Sequence, residues 1–316
     1  MKHLLEQLEA GRSISVEVVP PSRGGDPDGV LACVEAVMPY GPAFVSVTDH
    51  PAGSAWAECD GRSVEVPLRG KPGTLGLCMS IHQSFDVPVV PHVVCAGNDR
   101  FRAEDELIDL RYAGFRDVFV VRGDCPPNAS VGGDPLQAVD LVRLASDLNR
   151  GEYASGTAHG TPAGLSIGVA GYPEGHPDAS GPDADMAALA AKVAAGATWI
   201  ITQMVFEVRA YADFVARVRA AGIAVPVLPG VKPVTSSTTL SRIPGTFHVS
   251  VPDALTRALE DARTPADERM AGARYAADLA AGLLDAGAPC VHFFTMGRAR
   301  DTVAALSALA GGKDST

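Results

Sequence analysis

The chain has 316 residues, with 26 Lys and Arg against 37 Asp and Glu and a formal net charge of −11. Apolar residues make up 47% and charged residues 20%, the balance of a globular protein with a large core. Nucleic acids and anionic membrane surfaces select a basic face, so this charge argues against either as a partner.

Residues 1–10 (MKHLLEQLEA) read as a short amphipathic helix ended by Gly11, without the apolar run and cleavage site of an export signal. No segment carries the roughly 18 apolar residues that span a membrane. Strands follow at 13–19, 44–48, 89–95, 118–123, 165–171, 199–205, 225–231 and 290–295. Helical segments lie between them at about 28–38, 73–84, 103–114, 135–149, 183–196, 208–221, 236–243 with 252–261, and 267–286, and a last helix covers 298–310. Residues 49–72 and 150–164 are rich in Gly, Pro and small polar residues and read as long loops. Alternation of strand and helix to the end is the pattern of parallel βα units. Eight such units in this length predict one closed (β/α)8 TIM barrel over residues 1–311, with 312–316 as a flexible tail. No GxGxxG follows the first strand, so the open dinucleotide-binding fold is disfavoured. The six cysteines are scattered without a CxxC pair, as in reduced thiols of the cytoplasm.

A barrel of this kind collects its chemistry at the C-terminal ends of its strands. There the sequence places Glu17, then Thr48, Asp49 and His50, then His92, Arg122 and Asp124, then Tyr172, Glu174 and His176, then Gln203, and finally Thr295 and Arg298. Parity sharpens this. In SISVEVV (13–19), Ile14, Val16 and Val18 share one face and Ser13, Ser15 and Glu17 the other, so the small polar face points into the barrel. Arg122 and Asp124 share a face, and Gln203 has Ile201 and Val205 as same-face neighbours. A carboxyl in apolar surroundings shifts toward its protonated form, which suits a general acid. A structural ion pair is the alternative for Glu17 and for Arg122 with Asp124, and a satisfied core histidine for His92. His50, His92 and His176 have neither H-x-H nor H-E-x-x-H spacing, so no metal site is assigned, although a metal-dependent barrel hydrolase is a competing reading.

SVEVVPP (15–21), FVSVT (44–48), PHVVC (91–95), RGDCPP (122–127), VAGYPEGHP (169–177), ITQMVF (201–206), PGVKP (229–233) and HFFTMGR (292–298) stand in an order and spacing that resemble the methylenetetrahydrofolate reductase family, over nearly the whole chain. The resemblance implies a barrel that binds FAD at the strand C-termini. It implies reduction of 5,10-methylenetetrahydrofolate to 5-methyltetrahydrofolate, with NADH or NADPH as hydride donor. Glu17 then corresponds to the general acid that opens the folate ring, and Asp124 to the acid near pterin and flavin. Gln203 corresponds to the pterin-binding amide and Arg298 to an arginine of the folate region. Thr48, His92, Arg122, Gly123, Asp124, Ala138, Tyr172, His176, Asp185 and Lys192 fall on flavin-contacting positions. Relatives of this kind tend to form homo-oligomers.

Several positions depart from the family pattern. Gln137-Ala138-Val139-Asp140-Leu141 lacks the usual aromatic residue at its start. Ala188 and Ala191 replace an Asn and a basic residue near Lys192, Asp49 replaces a Tyr, and a folate-stacking Phe becomes Ile243. The chemistry residues are kept while flavin contacts thin out. Two alternatives therefore stay open: the same reaction by direct hydride transfer without flavin, and a catalytically silent barrel that binds folate or a partner.

Overall fold

The computed structural model describes residues 4–9, 11–123, 136–156 and 160–311. Its strands in chain order are β1 (Ser13–Val18), β2 (Val45–Val47), β3 (Ala52–Cys59), β4 (Arg62–Arg69), β5 (Val89–Val94), β6 (Asp117–Val121), β7 (Ser166–Gly171), β8 (Trp199–Met204), β9 (Val227–Val231) and β10 (Cys290–Phe294). Eight of them close into a barrel in the order β1-β10-β9-β8-β7-β6-β5-β2, and every pair is parallel. This is the expected (β/α)8 fold. Residues 312–316, expected as a tail, lie outside the described residues.

The expected loop at 49–72 is instead largely an antiparallel hairpin, β3 with β4, standing apart from the barrel. Its turn is Asp60-Gly61, both at positive φ (50° and 71°), as a tight two-residue hairpin turn requires. Alternation in SAWAE (54–58) and RSVEV (62–66) carried this signal, and the surrounding Gly, Pro and charge masked it.

Strand parity divides the core in two. Ile14, Val16, Val18, Val45, Val47, Val118, Val120, Ile167, Val169, Val291 and Phe293 face outward and pack with the helices. Phe44, Val90, Phe119, Trp199, Ile201, Leu228 and Cys290 form a separate cluster. The rings of Phe44, Phe119 and Trp199 meet at centroid distances of 5.4 and 6.1 Å, although the strands that carry or adjoin them are not neighbours in the sheet. Only the barrel interior allows that contact. Leu4 and Leu8, from the helix Leu4–Glu9, are buried in the same cluster and close the lower end. Trp199 fixes its own seat: its indole N–H donates to Ser166 Oγ at 3.0 Å, and a Cβ on Gly168, its register partner, would lie 2.3 Å from its ring.

At the upper end a third cluster roofs one side. Met204, Phe206, Val234, Leu240, Ile243, Val249, Leu255 and Leu259 pack together from the short helices Ser237–Leu240, Ile243–Phe247 and Asp253–Glu260 and the ends of β8 and β9. Ile243 is buried in this roof rather than exposed to the barrel mouth. Among the described residues no helix is long and apolar enough to cross a membrane.

The Gly168 seat is testable. Gly168→Ala forces the indole or its strand to move and is expected to destabilise the fold by about 2–3 kcal/mol, the upper part of the overpacking range. A urea melt reads this as a lower midpoint at unchanged slope.

Candidate active site at the barrel mouth

Glu17 sits at the end of β1, in register with Phe294 of β10 and Ser46 of β2. Its main-chain carbonyl accepts hydrogen bonds from Thr295 N–H (3.2 Å) and Thr295 Oγ1 (2.6 Å), so the turn after β10 clamps the end of β1. Its side chain points inward, as parity required. Glu17 Oε2 lies 3.6 Å from His92 Nε2 and 3.9 Å from His292 Nε2, with only 12% of the side chain exposed. His292 is fully buried, with Nδ1 2.8 Å from Ser15 Oγ and its ring stacked on Phe44 at 5.6 Å. Serines at the small inward positions of β1 and β2 therefore leave room for an imidazole beneath the acid.

His92 is buried, and desolvation pushes its pKa down to about 4, against a partly compensating pull from Glu17. It is a neutral imidazole at neutral pH. Its Nε2 has no hydrogen-bond partner among the described residues. The acid thus faces a neutral, proton-accepting or proton-donating ring rather than a fixed counter-charge.

Above this pair opens a cleft of about 450 Å³. Glu17, Thr48, His92, Arg122, Gly123, Tyr172, His176 and Gln203 all line it, so eight of the expected residues converge. Asp185 and Lys192 flank it from the helix Pro182–Ala194. The Lys192 ammonium donates to the Ala170 carbonyl at 2.8 Å, and burial lowers its pKa to about 8. Asp185 accepts from the His176 backbone, and burial raises its pKa despite Lys192. Arg122 forms an ion pair with Asp178 at 2.7 Å. His176 packs edge-on to Tyr172 at 4.5 Å, and burial followed by the Arg122 charge lowers its pKa. Ala138 opens the helix Ala138–Asn149, which Gln137 and Asp140 cap. Arg298 is exposed on the turn after β10 and is not part of the cleft wall. Asp124 lies outside the described residues.

One sequence reading needs correction. Gln203 and Val205 do not share a face: the pairing of β8 with β9 shifts register between Ile201 and Met204, and Val205 joins the outer core. The irregularity leaves Gln203 on the cleft wall, its Oε1 accepting from Met204 N–H at 2.9 Å. Asp49 lines the cleft beside Thr48 as expected and also ties the end of β2 to the hairpin and the next helix: it is buried, and Oδ1 accepts from Thr74 Oγ1 (3.0 Å) and Arg69 (3.2 Å). Sequence reasoning also missed Phe247, His248 and Phe294 on the wall. Phe294 was findable by extending the inward parity of His292 by two residues, whereas Phe247 depends on the roof, which no periodicity announced.

The arrangement offers a proton source at the floor, an amide beside it and a slot walled by flat groups. Among the described residues no cluster of His, Cys, Asp or Glu could hold a metal ion. A family model described as methylenetetrahydrofolate reductase matches residues 2–310. The chain is 29% identical over 297 residues to the 5,10-methylenetetrahydrofolate reductase of Pectobacterium carotovorum, covering 93% of this chain and 89% of that one. It is 28% identical over 296 residues to the Escherichia coli enzyme of the same name, covering 93% and 90%. A solved structure from Clostridium thermocellum, described as binding two copies of 5-methyl-5,6,7,8-tetrahydrofolic acid, shares the fold at a TM-score of 0.61 and 14% identity, over 99% and 100% of the two chains.

The neutral state of His92 has a thermodynamic signature. Its folded pKa (about 4) lies below the ordinary value of 6.5, so the unfolded chain binds the extra proton between those limits. Stability is expected to fall as pH drops from 6.5 toward 4, by on the order of 3 kcal/mol in total from this group. Thermal melts of His92→Gln beside the parent are expected to show a flatter slope across this window.

Proposed function

The chain belongs to the methylenetetrahydrofolate reductase family, and from that premise we propose that it reduces 5,10-methylenetetrahydrofolate to 5-methyltetrahydrofolate at the cleft above Glu17, using NADH or NADPH. The observation that carries this reading is a nearly buried carboxyl on the inner wall of the barrel, with Gln203 and Phe294 on the same cleft. The substrate's five-membered ring joins N5 and N10 through one carbon. Glu17 donates a proton to N10, and the carbon–N10 bond breaks with its electron pair retained on N10. The carbon is left as an iminium on N5, and a hydride delivered there completes the methyl group. Protonation away from bulk water is what the closed lower end and the roof favour. Gln203, anchored by its own neighbour's N–H, presents its NH2 to acceptor atoms of the pterin.

The cleft wall fits a flat heteroaromatic ring. His92 Nε2 is buried and has no partner among the described residues, and Gly123, at φ +82°, brings the backbone close where a side chain would crowd Val94. Thr48, His92, Arg122, Gly123 and Tyr172 would hold the ring portion of FAD, with Ala138, His176, Asp185 and Lys192 toward its phosphates. Bound there, FAD would supply a two-electron relay between nicotinamide and folate.

A second reading rests on a specific observation at the phosphate end. Lys192 is already engaged with the Ala170 carbonyl and Arg122 with Asp178, while Ala188 and Ala191 add no polar group. Weak flavin binding favours direct hydride transfer from the nicotinamide to the same iminium. Glu17 has the same role in both.

Glu17→Gln is expected to lower folate reduction by roughly 10²–10⁴-fold, the range for a lost general acid. Retention of full turnover would remove the acid from the mechanism. The visible spectrum of the purified protein separates the two hydride routes. Yellow protein whose flavin is bleached by NADH supports the relay, and colourless protein that still oxidises NADH with the methylene folate supports direct transfer.

A further inference from the structure

Glu17 faces two imidazoles, and they are not equivalent. His92 lines the cleft, where a ligand can reach it. His292 does not: its ring is fully buried beneath the acid, stacked on Phe44 at 5.6 Å and edge-on to Phe294 at 5.3 Å. Its two nitrogens also differ. Nδ1 has a firm partner, Ser15 Oγ at 2.8 Å. Nε2 has only distant ones, Ser46 Oγ at 3.5 Å and Glu17 Oε2 at 3.9 Å. A histidine kept only for packing satisfies both nitrogens at ordinary distances, because a buried polar atom without a good partner is costly. Here one nitrogen of a fully buried ring is held short of a good partner, and it lies against the acid.

The groups below the ring decide which nitrogen carries its hydrogen. Cys290 is fully buried, and desolvation raises its pKa to about 11, so it stays a thiol. Its Sγ donates to Ser15 Oγ at 3.4 Å, nearer than its other acceptor, the Val291 carbonyl at 3.8 Å. Ser15 Oγ therefore receives one hydrogen and gives its own to His292 Nδ1. With Nδ1 accepting, the imidazole carries its hydrogen on Nε2, toward Ser46 and Glu17. Strand register builds this chain. Cys290 pairs with Ser13, His292 with Ser15 and Phe294 with Glu17, so a polar seam follows the β1–β10 joint through a lumen filled mainly by aromatic and aliphatic side chains.

We propose that His292 is a positioning residue for proton transfer from Glu17, its Nε2–H held by Ser15 so as to take up the carboxylate that the transfer leaves behind. This rests on the reductase reading and deepens it. In the step, the Glu17 O–H bond breaks and an N10–H bond forms, and the electron pair of the broken bond stays on the carboxylate. Both imidazoles face the same oxygen, Oε2, which leaves Oε1 to carry the proton. His292 keeps its own hydrogen and donates it to Oε2. The gap of 3.9 Å closes by about 1 Å to reach a charge-assisted hydrogen bond. That bond is weak while Glu17 is protonated and strong once it is charged, so it favours the state after transfer over the state before. Thr295 fixes the main chain of Glu17, so the adjustment falls to the side chain. The other titratable groups facing Glu17 are His92 from β5 and Lys232 after β9, and Lys232 also feels Asp301.

The test compares His292→Phe, which keeps a ring on Phe44 but has no N–H, with His292→Gln, which restores a donor near Nε2, and with Ser15→Ala, which releases Nδ1. In His292→Phe, kcat for reduction of the methylene folate is expected to fall roughly tenfold, with the folate KM within about twofold of the parent. The high-pH limb of its kcat/KM profile should move up by about one unit, because an acid whose anion is less stabilised holds its proton longer. His292→Gln should recover most of both effects, and Ser15→Ala should show part of both. The carboxyl signal of Glu17 in NMR spectra of glutamate-labelled protein, assigned by its loss in Glu17→Gln, gives a readout independent of turnover. Its titration midpoint should rise by about one unit in His292→Phe and return in His292→Gln. Thermal melts establish that each variant is folded; if His292→Phe is not, Ser15→Ala against the parent decides the outcome. A lower kcat with an unmoved pH limb and an unmoved carboxyl titration makes His292 a packing residue and overturns the proposal. Equal behaviour of the Phe and Gln variants overturns it too. A shifted carboxyl titration in a chain that reduces no methylene folate upholds the link between His292 and Glu17 and removes the reductase reading instead.

Discussion

The arrangement depends on one constraint: a carboxyl group held on the inner wall of a closed barrel, where water cannot solvate it freely. Such a group is tolerated only if its surroundings are built for it. Here Thr295 grips the backbone of Glu17 with two hydrogen bonds to one carbonyl, and two imidazoles stand within 4 Å of the side chain. The serines at 15 and 46 make room for His292, and the aromatic layer of Phe44, Phe119 and Trp199 supports it from below. Remove the acid from this account and the small inward residues of β1, the unpartnered His92 nitrogen and the buried Thr295 lose their common reason.

Much of this was legible in the sequence because the strand repeat of two residues is strict. Ser13, Ser15 and Glu17 alternate with Ile14, Val16 and Val18, and the structure puts the two sets on opposite faces of β1. Parity failed where the backbone breaks the repeat. The irregularity between Ile201 and Met204 turns Val205 outward, and nothing in ITQMVF marks where the extra residue falls. The hairpin at 52–69 was hidden by composition, although Asp60-Gly61 and the flanking alternation were in plain view. Ile243 shows another limit. Its position suggested a ring-stacking site, but the short helices of the roof bury it and bring Phe247 to the cleft instead. Loop-borne contacts of this kind depend on how several short helices pack, and no single segment encodes that.

The electrostatics of the mouth are uneven, and the unevenness bears on function. On the β6–β7 side the cations are already matched: Arg122 to Asp178 and Lys192 to a main-chain carbonyl, with Asp185 close by. On the β9–β10 side Lys232 feels the carboxylates of Asp301 and Glu17, while Arg269, Arg274 and Arg300 line a groove and form no ion pair among the described residues. An anionic ligand approaching a protein of net charge −11 is repelled at long range. It is drawn in only where local positive charge exceeds local negative charge.

The helix Leu4–Glu9 adds one last consequence. By seating Leu4 and Leu8 under the lumen cluster it seals the lower end of a packed interior, so that among the described residues Glu17 is approached from the cleft above it. A ligand that reaches the acid therefore comes from the rim where the strands end, and the side chains lining that rim meet it first.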